Sequence, residues 1–180
     1  MLQQRIVRTG IAALCLFLSF SITCFAADYQ HSLDIEKMHF SWSVNGDQLA
    51  VKISAPTTGW VAIGFNPTDK MKDADIVIGY VKDGKVKIED DFGMAATLHK
   101  SDTKIGGSEN VTVVGGSEEN GITTLEFTLP LNSGDDKDTV IDPAADTVVI
   151  VGYGGDRDSF RMKHVFRETL TVNLGNGQKK

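Results

Sequence analysis

Three dipeptides, each set between two apolar runs, most constrain how this chain can fold. Asn45-Gly46 lies between residues 40–44 and 49–53, Asp83-Gly84 between 76–81 and 85–88, and Asn120-Gly121 between 111–114 and 123–129. Asn or Asp followed by Gly accepts the left-handed backbone of a two-residue hairpin turn, whose twist matches that of the flanking strands. Further strands are expected at 59–65, 147–153 and 165–174, and no long stretch shows helical periodicity flanked by capping residues. The segments around 100–110 and 132–146 are rich in Gly, Ser and Asp and read as loops. The expected architecture is all-β, a sandwich of two antiparallel sheets.

Residues 1–26 read as an export signal rather than as structure. Arg5 and Arg8 give a positive start, residues 11–22 an apolar run too short to span a bilayer comfortably, and Cys24-Phe25-Ala26 small residues ahead of a cut. A lipid anchor would need Cys24 as the lipidated residue, but Ser21-Ile22-Thr23 is a poor match to the usual Leu-Ala-Gly type of context. The expected mature chain, 27–180, is one domain. Removing Arg5 and Arg8 with no acid moves the formal charge from −6 to −8. That balance argues against nucleic acid and anionic lipid surfaces as partners, because both require a basic footprint.

Both cysteines, Cys15 and Cys24, fall inside the signal segment. The expected mature protein therefore has no disulfide, thiolate ligand, iron–sulfur cluster or covalently attached haem. An exported chain of this kind fits a bacterial periplasm or a secreted protein.

Two strands depart from the alternation expected of a half-solvated antiparallel sheet. In residues 59–65 and 76–81 both faces are largely apolar, so something apolar should cover the second face. A loop would do so, and so would a flat ligand, for which Gly64 and Gly79 leave room. Met71 sits in the loop between these strands. In the late strand, period two places His164 with Met162, Phe166, Leu170, Val172 and Leu174 on the apolar face. A histidine there is either a hydrogen-bonded core residue or a metal ligand.

The runs GWVAIGFNPTDKMKDADIVIGYV at 59–81, ENGITTLEFTLPL at 119–131, VIVGYG at 149–154 and KHVFRETLTVNL at 163–174 together resemble the DOMON family. The resemblance implies an immunoglobulin-like β-sandwich that binds haem b or a sugar. The haem-binding members resemble the cytochrome domain of cellobiose dehydrogenase and the domains fused to cytochrome b561 modules. In the haem-binding members a methionine after the Gly-Trp strand and a histidine near the last strand hold the iron, and the matching positions are Met71 and His164. Met162 is then expected to be a wall of the pocket. No flavin, copper-monooxygenase or b561 unit is recognisable in this sequence.

Other constellations are weaker. Asp135, Asp136, Asp138, Asp142 and Asp146 do not reproduce a calcium-loop spacing and read as a solvated acidic loop. Asp73 and Asp75 read as turn residues, and His31, His39 and His99 lack metal-ligand spacing. No nucleophile elbow, phosphate loop or zinc motif is present. The expectation is a non-enzymatic, exported b-type cytochrome, its iron held by Met71 and His164, exchanging electrons with an unidentified redox protein or small molecule. The alternative is a haem-free module stacking a sugar or other small ligand on Trp60, Tyr80 or Tyr153.

Overall fold

The computed structural model describes residues 28–180, so residues 1–26, read above as an export signal, lie outside the described residues. Among the described residues, eleven strands form two antiparallel sheets. The first holds β1 (His31–Ile35), β2 (Met38–Asn45), β3 (Gln48–Ala55), β9 (Ile122–Pro130) and β8 (Thr112–Glu119), in that spatial order. The second holds β11 (His164–Asn173), β10 (Asp146–Gly154), β4 (Val61–Phe65), β5 (Asp75–Lys82), β6 (Lys85–Ala95) and β7 (Leu98–Ser101). A single 3-10 turn, Asp102–Lys104, follows β7.

The hairpin signals act as the sequence predicts, with one shift. Asp83-Gly84 and Asn120-Gly121 both carry positive φ and close β5–β6 and β8–β9. In the first hairpin Asn45 pairs with Gln48, so the turn residues are Gly46 and Asp47, and only Gly46 has positive φ. A glycine at the first turn position serves the alternative primed turn equally well. β1 and β7, two short strands at the edges of the sheets, were not expected from the sequence.

The core lies between the sheets. β3 and β9 alternate strictly, burying Leu49, Val51, Ile53, Leu125, Phe127 and Leu129 against Val61, Ile63 and Phe65 of β4 and Val77 of β5. Trp42 of β2 is 0 % exposed, stacks on Phe40 at a centroid distance of 4.4 Å, and donates its indole N–H to the Leu174 carbonyl at 2.8 Å. Leu174 follows β11, so this bond joins the two sheets. At the opposite end of the core Thr57 does the same: its hydroxyl donates to the Gly154 carbonyl, and its carbonyl accepts from the Thr123 hydroxyl.

Trp42→Ala should lower the unfolding free energy by about 3–5 kcal/mol, through lost burial and a residual cavity. Trp42→Phe should cost less, about 1–3 kcal/mol, chiefly for the Leu174 carbonyl left without its donor. Urea unfolding of the two variants checks both the sizes and the order.

Candidate functional site

β4 and β5 are buried on both faces. Their odd-numbered residues enter the core, while Trp60, Ala62 and Ile78 form a second cluster on the outer face of the six-stranded sheet. Half-buried Tyr80 and Phe160 pack against that cluster, with their rings 4.9 Å apart. Phe160 comes from the connection between β10 and β11, and the same connection accepts the Trp60 indole N–H at the Met162 carbonyl, 3.2 Å away. The Trp60 ring lies against Gly154, where an added Cβ would stand 2.4 Å from the indole nitrogen. The cover at the Trp60 end of this face is thus protein. A phenylalanine in a polar loop carries no periodic signal, and the sequence did not reveal Phe160.

His164 opens β11, opposite Gly154. A register shift after the Tyr153–Phe166 pair leaves Val165 as an extra residue, and such a bulge reverses the face of whatever precedes it. Phe166 stacks on Tyr153 inside the sandwich, whereas His164 shares the outer face with Gly154 and Trp60. Period two had put His164 on the same face as Phe166; the bulge overturns that placement. The residue is half-buried. Desolvation, with Arg167 and Lys163 close by, holds its imidazole pKa below the ordinary value. The ring is therefore neutral at pH 7, the form that ligates a metal. Met162 precedes the strand and is exposed, so it is not a buried pocket wall.

Met71 lies on the β4–β5 connection and is half-buried. Its backbone is fixed by short-range bonds: the Ala74 N–H donates to the Met71 carbonyl at 3.1 Å, and the Lys72 N–H to the Asp69 carbonyl at 2.9 Å. The Asp73 N–H donates to Gly93 of β6, and the Gly93 N–H to Ala74. The Met71 carbonyl rests directly on Gly93, where any Cβ would fall 1.6 Å from it. Only glycine admits that approach. Since Gly93 faces outward on β6, Met71 lies over the same outer face as His164. The two stand at its two ends, one by Ala74 and Gly93, the other by Gly154 and Trp60. The outward positions between them on β10, β4 and β5 are Ile150, Gly152, Ala62, Gly64, Ile76 and Ile78.

Beside this face runs a cleft of about 440 Å³ whose lining includes Tyr80, Phe160, Lys87, Glu89, His99 and Arg161. Lys87 Nζ sits 5.2 Å from the Phe160 ring centre. Of the three aromatic residues expected to offer a stacking surface, only Tyr80 lines this cleft. Trp60 is buried under Met162, and Tyr153 is buried in the core.

Residues 34–154 match the DOMON domain family, a span that includes Met71 and ends ahead of His164. DBH-like monooxygenase protein 1 of Homo sapiens is 34 % identical over 110 residues, covering 61 % of this chain and 17 % of the relative. The Mus musculus protein of the same name is 26 % identical over 156 residues, covering 84 % and 25 %. The chain thus spans a quarter or less of the length of these relatives. Among solved structures, the cytochrome b domain of pyranose dehydrogenase from Coprinopsis cinerea superposes with a TM-score of 0.59 at 14 % identity, covering 77 % of each chain. The cytochrome domain of Myriococcum thermophilum cellobiose dehydrogenase gives 0.57 at 9 % identity, covering 82 % of this chain and 83 % of that one. At such identities the two structures speak for a shared fold. With the family match over most of the described sandwich, they lead to one conclusion: the chain belongs to the DOMON domain family.

Proposed function

We propose that this protein is an exported b-type cytochrome, in which Met71 and His164 hold one non-covalent haem on the outer face of the six-stranded sheet. What supports the reading is the pair of donor residues at the two positions the family resemblance assigns, in a sandwich like that of two cytochrome domains; the strand register sets them roughly 20 Å apart along the face, so the connections that carry them would have to close over it for one iron to take both. The donor chemistry fits the group. A thioether and a neutral imidazole are both good ligands of haem iron, and the face between them carries small or apolar residues. The only cysteines, Cys15 and Cys24, lie in the segment read as an export signal, which leaves 27–180 as a domain with non-covalent attachment.

When bound, the iron supplies a one-electron couple whose reduced state Met/His ligation favours, raising the potential. The residues of the chain determine the rest. Gly93 and the bonded turn at 69–74 fix the backbone of Met71 at its own end of the face. The lowered pKa of His164 keeps its lone pair free at neutral pH. The 155–163 connection, anchored by Phe160 on Tyr80 and by the Met162 carbonyl on Trp60, shields the face from water. Ligation by both Met71 and His164 would leave the iron no open site for a substrate, which favours outer-sphere electron transfer over catalysis at the metal. The strong negative charge of the chain favours partners with a basic docking surface.

A second reading is supported by the cleft at Tyr80 and Phe160. An aromatic edge beside Lys87, Glu89, His99 and Arg161 suits a sugar or another small polar ligand, with no haem needed.

The purified protein titrated with haem should take up one equivalent and, when reduced, give the sharp α and β bands of a six-coordinate low-spin iron. Absence of uptake, or a five-coordinate high-spin spectrum, would overturn the haem reading and leave the cleft as the site. Met71→Ala should retain haem through His164 but open a coordination position and lower the potential, whereas His164→Ala should lose most of the haem. Spectroscopic haem titration and potentiometry of the two variants check that asymmetry; equal behaviour would contradict the assigned roles.

A further inference from the structure

The inner face of the six-stranded sheet does not stay apolar to its end. Asp75, the first residue of β5, and Asp90, on the inward side of β6 after Val86 and Ile88, point into the sandwich, each 4 % exposed. Asp138 reaches them from the connection between β9 and β10, and one carboxylate oxygen from each of the three lies within 4.8 Å of the others. Asp102, in the 3-10 turn after β7, is 1 % exposed and lies close to Asp90 and Asp138.

Hydrogen bonds satisfy this group only in part. The Asn110 backbone N–H donates to Asp90 Oδ2 at 2.9 Å, its side-chain amide donates to Asp138 Oδ2 at 2.7 Å, and the Thr139 N–H donates to Asp75. Asp90 Oδ1, Asp138 Oδ1 and both carboxylate oxygens of Asp102 are buried with no donor. Among the described residues no Lys, Arg or His forms an ion pair with any of the four. The other charged neighbours, Asp91, Glu109 and Asp135, add negative charge. Lys137 instead places its ammonium 5.7 Å from the Phe92 ring centre. Buried carboxylates without a counter-charge are among the costliest groups a fold can hold. Desolvation and mutual repulsion raise Asp90 to about 7 and Asp102 to about 8, and push Asp75 well above the carboxylate range.

We propose that Asp75, Asp90, Asp102 and Asp138 form a structural binding site for one Ca²⁺ ion, on the opposite side of the sheet from Met71. Asp102 separates this arrangement from an ordinary acidic cluster, since it is fully buried beside the three-carboxylate group, next to Asp90 and Asp138, with no donor on either oxygen. The donor set is all oxygen, which selects a hard cation over zinc or copper. Calcium tolerates six to eight oxygens at about 2.3–2.6 Å in irregular geometry, while Mg²⁺ requires a near-ideal octahedron and retains its waters. The ion would tie together β5, β6, the 3-10 turn and the β9–β10 connection, four segments that otherwise repel one another here. The site depends on nothing in the haem reading.

The test uses protein stripped with EDTA, dialysed, and titrated with CaCl₂ at pH 7.5 by calorimetry, with thermal melts in parallel and MgCl₂ as comparison. One Ca²⁺ should bind per chain, and a hundredfold excess over Kd should raise the melting midpoint by about 5–10 °C. Asp90→Asn/Asp102→Asn should take up no Ca²⁺ and, in EDTA at pH 7.5, melt no lower than the parent, because neutral amides relieve the repulsion. Should that variant fail to fold, Asp138→Asn, at a half-buried position, should weaken Ca²⁺ uptake at least tenfold. No heat of binding together with melts at pH 7.5 that Ca²⁺ leaves unchanged would overturn the proposal, as would a double variant that still binds one Ca²⁺.

Discussion

Burial of β4 and β5 on both faces is the constraint from which the other features of this molecule follow. A sheet that is apolar on one side needs only a partner sheet, and β2, β3 and β9 supply it, with Trp42 binding across to Leu174. A sheet that is apolar on both sides needs a second cover, and in this topology it comes from two connections. One is the 66–74 segment that folds onto Gly93, and the other is the 155–163 segment that sets Phe160 against Tyr80. The first carries Met71, and the second delivers the chain to His164. The need to cover a second apolar face thus places both proposed ligands on it.

The inner face meets the opposite difficulty where the core ends. At this end of β5 and β6 the inward positions Asp75 and Asp90 stand diagonally to one another, beside Val77 and Phe92. The β9–β10 connection closes over them, but it brings Asp138 rather than a basic residue. A fold optimised only for stability would put a lysine or an apolar side chain at one of these places, because partly satisfied buried polar groups are worse than none. Groups that break the rule for burial tend to mark function or a missing counter-charge.

Much of the fold was legible because its information is local. Asp83-Gly84 and Asn120-Gly121 fix their turns by backbone preference alone, and the strict alternation of β3 and β9 fixes which side faces inward. β1 and β7 escaped because short, mostly polar edge strands are defined by the neighbour they pair with rather than by their own pattern. The site was legible in residue type but not in direction. Met71 was recognisable as a loop residue after a doubly apolar strand, yet the face of His164 depends on the extra residue Val165, and one inserted residue inverts a period of two. The aspartates show the same divide. Asp90 could have been read as the third member of the inward series Val86, Ile88, Asp90, whereas Asp102 and Asp138 arrive from irregular segments whose meeting no periodicity encodes.

The five residues from Met71 to Asp75 bring the two faces together. Met71 lies over the outer side of the sheet and Asp75 points into the inner side, and the bonds of Gly93 with Asp73 and Ala74 clamp the backbone between them. A displacement of Asp75 inside the sandwich therefore cannot be absorbed locally. The segment has no slack, since its turn is closed by the Ala74-to-Met71 and Lys72-to-Asp69 bonds and its far side rests on a glycine with no room for a Cβ. The charge balance of the inner face and the geometry of the outer face are in this sense one problem, solved by one stretch of chain.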